Sequence, residues 1–177
     1  MKKICITLLL LFIISLTVAV SLNKSTLSAE YLRIHIRANS NSQIDQSVKY
    51  EIKDKLVNYL TPYIANCNNK QDAISLLNEK RLTLIGITDS VLKSKGLDYK
   101  SNVAIRNEKF PSRVYGEFTL EEGFYDAVIV ELGNAKGDNW WCVVYPPLCF
   151  TSNDCGVKYK SKILEIIKEF KEKTSAR

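Results

Sequence analysis

The chain has 177 residues, 46% of them hydrophobic and 25% charged, with a formal net charge of +6. That length suits one domain with its own core, and the balance of apolar and charged residues excludes a disordered chain. From Ser28 onward the excess falls to +3, and residues 157–177 supply all of it, so the body offers no basic face for nucleic acid.

Lys2 and Lys3 precede an uncharged run over residues 4–22. The run exceeds the usual apolar core of a signal peptide and is just long enough to span a bilayer. Thr17-Val18-Ala19 and Ala19-Val20-Ser21 are small-x-small cleavage sites. Residues 1–27 are therefore read as a signal peptide or an uncleaved membrane anchor, and the two remain open. Either one exports the rest of the chain, and an uncleaved segment would add a membrane contact.

Residues 28–156 form the expected globular domain. Over residues 30–38, Leu32, Ile34, Ile36 and Ala38 alternate with Tyr31, Arg33, His35 and Arg37, the pattern of a half-buried strand. Asn39-Ser40-Asn41-Ser42 breaks it with turn formers, and Ser42 with Asp45 resembles a capping box. Ile44, Val48, Ile52, Leu56, Tyr59, Leu60 and Tyr63 then recur at helical spacing. A second helix covers residues 72–96, with Gly96 placed to end it and Gly86 a possible bend. From Leu97 the period becomes two. Strands are expected around Val103 and Ile105, over 114–120, over 125–132, and over 140–145. Short turns join them, which reads as an antiparallel meander. Residues 157–177 form a basic amphipathic helix, docked on the domain or lying on a membrane surface. The expected fold is α+β: a strand and two helices, a four-strand antiparallel meander, and a C-terminal helix.

Of five cysteines, Cys5 lies in the apolar segment, and the other four allow three full pairings. Pro146-Pro147 ends the last strand and bends the chain so that Cys149 can return to Cys142, which predicts a Cys142–Cys149 bridge. Zinc is the rival, but no Cys-x2-Cys knuckle is present. No metal or cofactor is expected.

Three blocks carry a family resemblance. Gly137-Asp138-Asn139-Trp140-Trp141-Cys142-Val143-Val144-Tyr145-Pro146-Pro147-Leu148-Cys149-Phe150 resembles the signature of the stage II sporulation protein R family. Arg33, His35, Ala38, Asn39, Ser40, Asp45, Gln46, Lys49 and Asp54 match its opening block. Phe110 to Leu120, with Gly123-Phe124-Tyr125 and Leu132-Gly133, match a third. Glu121 stands where the family often has Pro, and Asp138 where it often has His. The resemblance implies a signalling protein exported from the forespore. Its partner would be a membrane-embedded aspartic protease of the mother cell, which it triggers to mature a sigma-factor precursor.

Catalytic residues are not expected. His35 is the single histidine, read as a solvated or hydrogen-bonded group, and no phosphate loop or nucleophile elbow is present. An extracytoplasmic cell-wall hydrolase using His35 and a carboxylate is the alternative. Partner binding is placed on Asn39, Ser40, Asn41, Asn139, Trp140, Trp141, Tyr145, Pro146 and Pro147, where the first strand would lie beside the Trp140 strand. Alternation turns one tryptophan to the core and leaves the other as an exposed anchor.

Overall fold

The structure, a computed structural model, describes residues 4, 6, 8–15, 30–116, 118–150 and 157–175, with side chains from 163 onward in the last stretch. Two compact units divide the chain, Met1–Glu30 and Tyr31–Arg177. In the first, residues 8–15 are helical with exposed apolar side chains. Its cleavage sites lie outside the described residues. Among the described residues, no helix is long and apolar enough to cross a membrane.

The second unit runs β1 (Leu32–Arg37), α1 (Gln43–Ile64), α2 (Lys70–Ser94), β2 (Ser101–Phe110), β3 (Arg113–Tyr115), β4 (Phe118–Leu120), β5 (Gly123–Leu132), β6 (Asn139–Tyr145), a single 3-10 turn at Leu148–Phe150, and α3 (Val157–Ser175). Ser42 caps α1 by accepting the Asp45 backbone N–H, as the sequence predicts. Despite Gly86, α2 is one continuous helix. It closes in a Schellman motif, with Gly96 at φ +69° and the Leu97 N–H donating to the Leu92 carbonyl at 3.1 Å.

The α+β class holds, but the meander does not. The main sheet has the order β2-β5-β1-β6 and is mixed. β1 enters between β5 and β6, parallel to the first and antiparallel to the second. The expected strand over 114–120 is instead two three-residue strands paired only with each other, turned at Gly116 with φ +60°. Alternation reports which face a side chain takes and is silent on which strand lies alongside.

Leu32, Ile34 and Ile36 of β1 share one face with Val103, Val128, Val130, Leu132, Cys142 and Val144, and α1 and α2 cover it. The other face gathers Phe110, Tyr125, Ala127, Ile129 and Val143 with Leu120 of β4 and Phe170 of α3. Ile163 of α3 is fully buried in the first cluster and Phe170 is 8% exposed in the second. The C-terminal helix is thus docked on the domain.

Candidate functional site

Two turns meet at one end of the sheet. Asn39, Ser40 and Asn41 leave β1, and residues 133–138 lead from β5 into β6; the β1–β6 register, with Arg37 opposite Asn139, brings them together. The Asn39 side-chain oxygen accepts the Asn134 N–H at 2.8 Å, and the Asn41 oxygen accepts the Asp138 N–H at 2.6 Å. Backbone bonds run from Lys136 N–H to the Asn39 carbonyl and from Gly137 N–H to the Ala38 carbonyl. Gly133 and Gly137 permit this approach. A Cβ on Gly133 would strike the Asn39 side chain, and one on Gly137 the Ser40 carbonyl. Gly137 is therefore needed for close contact and not for a positive φ.

Asp45 fastens the arrangement from α1. It is 4% exposed, and its carboxylate accepts Asn39 Nδ2 at 2.9 Å, Ser40 Oγ at 2.5 Å and Tyr99 OH at 2.5 Å. Burial alone would raise its pKa, but hydrogen bonds from Ser40, Tyr99, Asn39 and Ser42 together hold it below the usual aspartate value. Lys49, 1% exposed, spans the same gap by donating to Gln46 Oε1 at 2.6 Å and the Asp138 carbonyl at 2.9 Å. Asn39 and Ser40, expected to meet a partner, are half-buried and hydrogen-bonded within the domain. Asn41, Asp138 and Asn139 are exposed.

The sheet face away from α1 and α2 carries a second constellation. His35 is 1% exposed, which corrects the solvated reading in favour of the hydrogen-bonded one. Its Nδ1 lies 2.9 Å from Glu108 Oε1, and its ring stacks on Trp141 at 3.5 Å between centroids. Burial lowers its pKa, against the opposing pull of Glu108 and Asn139. The Asn139 side chain does not meet hydrogen-bond geometry with Nε2. Glu108 in turn binds Arg37 at 2.5 Å and Arg106 at 3.0 Å. The histidine–carboxylate pair that the hydrolase alternative requires does form, yet it is roofed by an indole and tied into ion pairs. Arg33 is fully buried, donating to Tyr115 OH at 2.7 Å with its guanidinium over the Phe110 ring at 4.3 Å.

The tryptophans take opposite faces, as alternation requires. Trp140 packs against the helix-side cluster and Trp141 against the other. Both are half-buried, so neither is the free anchor expected. Tyr145, Pro146 and Pro147 are buried at the far end of β6, where Tyr145 pairs with Leu32 and its hydroxyl donates to the Asn68 carbonyl. The expected meeting of the Asn39–Asn41 turn with β6 thus includes Asn139 but not these three. They cannot present a surface in this fold.

Cys142 and Cys149 are bridged, their Cα atoms 6.1 Å apart. The loop folds back on β6, so that Val143 N–H donates to Cys149 Sγ. Replacing both cysteines by serine is expected to lower stability by about 2.5 kcal/mol, the chain-entropy value for so short a loop. Urea unfolding of the two proteins side by side checks it. Cys67 is buried and free, its thiol pushed up to about 11 by burial. Cys155 lies outside the described residues. Among the described residues, no cluster of three or more His, Cys, Asp or Glu could hold a metal.

Sequence reasoning did not find Tyr99, Glu108 or Asn134. Each reaches its partner across at least 54 positions, a separation that leaves no local signal.

Fold and site define a small α+β domain stapled at one end of β6 and locked by polar contacts at the other. The family model for stage II sporulation protein R matches residues 28–154. Stage II sporulation protein R of Bacillus subtilis (strain 168) is 30% identical over 131 residues, covering 74% of this chain and 58% of that protein. This chain therefore belongs to the stage II sporulation protein R family, a sporulation family not known as enzymes. It spans well under two thirds of the curated relative's length. No solved structure matches it.

Proposed function

We propose that this protein is an exported signalling protein of endospore formation. It acts on a membrane-embedded aspartic protease of the mother cell, which then matures a sporulation sigma-factor precursor. The family match over residues 28–154 carries this reading. The apolar run behind Lys2 and Lys3 supports export, and the Cys142–Cys149 bridge suits an oxidising compartment. A ligand needs a rigid surface and no proton transfer, and the committed state of His35 agrees with that.

Within this reading we place the receptor-facing patch on exposed residues in and beside the two turns: Asn41, Ile44, Asp138 and Asn139. Ile44 is 49% exposed at the start of α1, three positions after Asn41, and would supply the apolar contact of such a patch. The test is processing of the precursor in cells co-expressing the protease, with purified protein titrated for half-maximal effect. Ile44→Glu should raise the amount required at least tenfold, about 1.4 kcal/mol of binding, while leaving the melting temperature unchanged. His35→Gln should retain processing in proportion to folded protein. A folded, protease-binding but inactive His35→Gln, or full effect from trace amounts, would transfer the case to the hydrolase.

A further inference from the structure

The two edges of the main sheet are treated differently. The β6 edge is closed. Its pairing is interrupted by a register shift near Leu32 and Arg33, it runs into Pro146-Pro147, and the disulfide loop returns to take the Val143 N–H. The β2 edge has none of these devices. All ten residues from Ser101 to Phe110 pair with β5 in unbroken register, no proline interrupts them, and Pro111 comes only after the strand. Among the described residues, no backbone hydrogen bond is made on the outward side of residues 102–110. Such a strand is a template for another strand.

The side chains indicate which strand fits. Outward-pointing backbone groups alternate along β2, so two copies pairing antiparallel must place their two-fold axis on a residue rather than between residues. An axis at Arg106 or at Glu108 would set that charge against its own copy. An axis at Asn107 sets Arg106 against Glu108 of the second copy, twice by symmetry, and Ala104 against the bulkier Phe110. We infer that the β2 edge joins a second copy of this chain in an antiparallel pair centred on Asn107, giving one eight-stranded sheet. Arg106 is 40% exposed and Glu108 15%, and both lie on the face away from α1 and α2. The added pairs would extend a network that already holds Arg37 and Glu131. This inference does not depend on the proposed function, and the sigma-factor assay is not its readout.

The test uses the full chain in mild detergent, with Cys5 and Cys155 changed to serine so that they cannot cross-link. Residues facing each other on the axis have Cα atoms about 4.5–5.5 Å apart, within disulfide reach. Asn107→Cys should therefore form a covalent dimer on mild oxidation, and Asn102→Cys, five positions from the axis, should not. Sedimentation should show a reversible dimer. Arg106→Glu should weaken it about tenfold by turning two attractive pairs repulsive. A monomer at every concentration tested overturns the inference, as does equal cross-linking of the two cysteine variants. A dimer that Arg106→Glu leaves intact also overturns it, and so does Asn107→Cys linking in cell extracts to a different polypeptide in place of a second copy.

Discussion

Asp45→Ala is expected to cost about 4 kcal/mol and to lower the melting temperature by about 10 °C or more. The carboxylate is buried and takes hydrogen bonds from Asn39, Ser40 and Tyr99. Alanine leaves three half-buried donors without their shared acceptor, which costs more than the net value of the bonds themselves. Asn39 would also lose its orientation toward the Asn134 N–H, so the damage should extend to the β5–β6 turn. Thermal unfolding measures the loss, and amide exchange at Asn134 and Asp138 locates it. A melting temperature unchanged within a degree or two would remove Asp45 from this role.

The same carboxylate predicts a pH dependence. Its folded pKa lies below the ordinary value of 3.8, so its contribution is complete above that value and is lost as pH falls through the folded one. Glu108 and Glu131 are lowered as well, and add their loss below the ordinary value of 4.5. His35 acts earlier. Its folded pKa is below 6.5, so the unfolded chain binds the proton first and stability begins to fall as pH drops through 6.5. Wild-type stability should therefore decline in two stages on acidification. In Asp45→Asn the later stage should be shallower and the His35 stage unchanged.

The second large effect separates two glycines. Gly137→Ala is expected to destabilise by about 3 kcal/mol, because its new methyl group would overlap the backbone carbonyl of Ser40, which cannot swing aside as a side chain can. The two turns would have to part, taking Lys49 from the Asp138 carbonyl. Gly86→Ala should move the other way, by about 0.5–1 kcal/mol, since Gly86 is exposed inside α2 with open space where a Cβ would stand. Denaturant midpoints of the two variants against wild type give the signs. Equal and small shifts would show that the Gly137 contact yields without cost.

Much of this protein was determined by local sequence. The Ser42 cap, the Gly96 terminus and the two helical stripes each follow from residues a few positions apart, because capping and amphipathic packing act over one or two turns. The Cys142–Cys149 bridge was legible for the same reason, since the bend that allows it lies between the two cysteines. The family resemblance marked Asn39, Ser40, Asp45, Gly133 and Gly137 as a set, without saying what joined them. Only the tertiary structure decided that β1 enters beside β5, and that decision fixes everything at the site. It buries Arg33 and His35 on a strand whose alternation read as half-solvated, and it seals Tyr145, Pro146 and Pro147 at the far end of β6. It also ties Asn39 and Ser40, expected to meet a partner, into hydrogen bonds that fasten α1 to the turn after β1. The physical reason is that a hydrogen-bonded strand edge is chemically alike along any strand. Which edge meets which is settled by the summed burial and polar satisfaction of the whole domain, a quantity no short stretch of the chain contains.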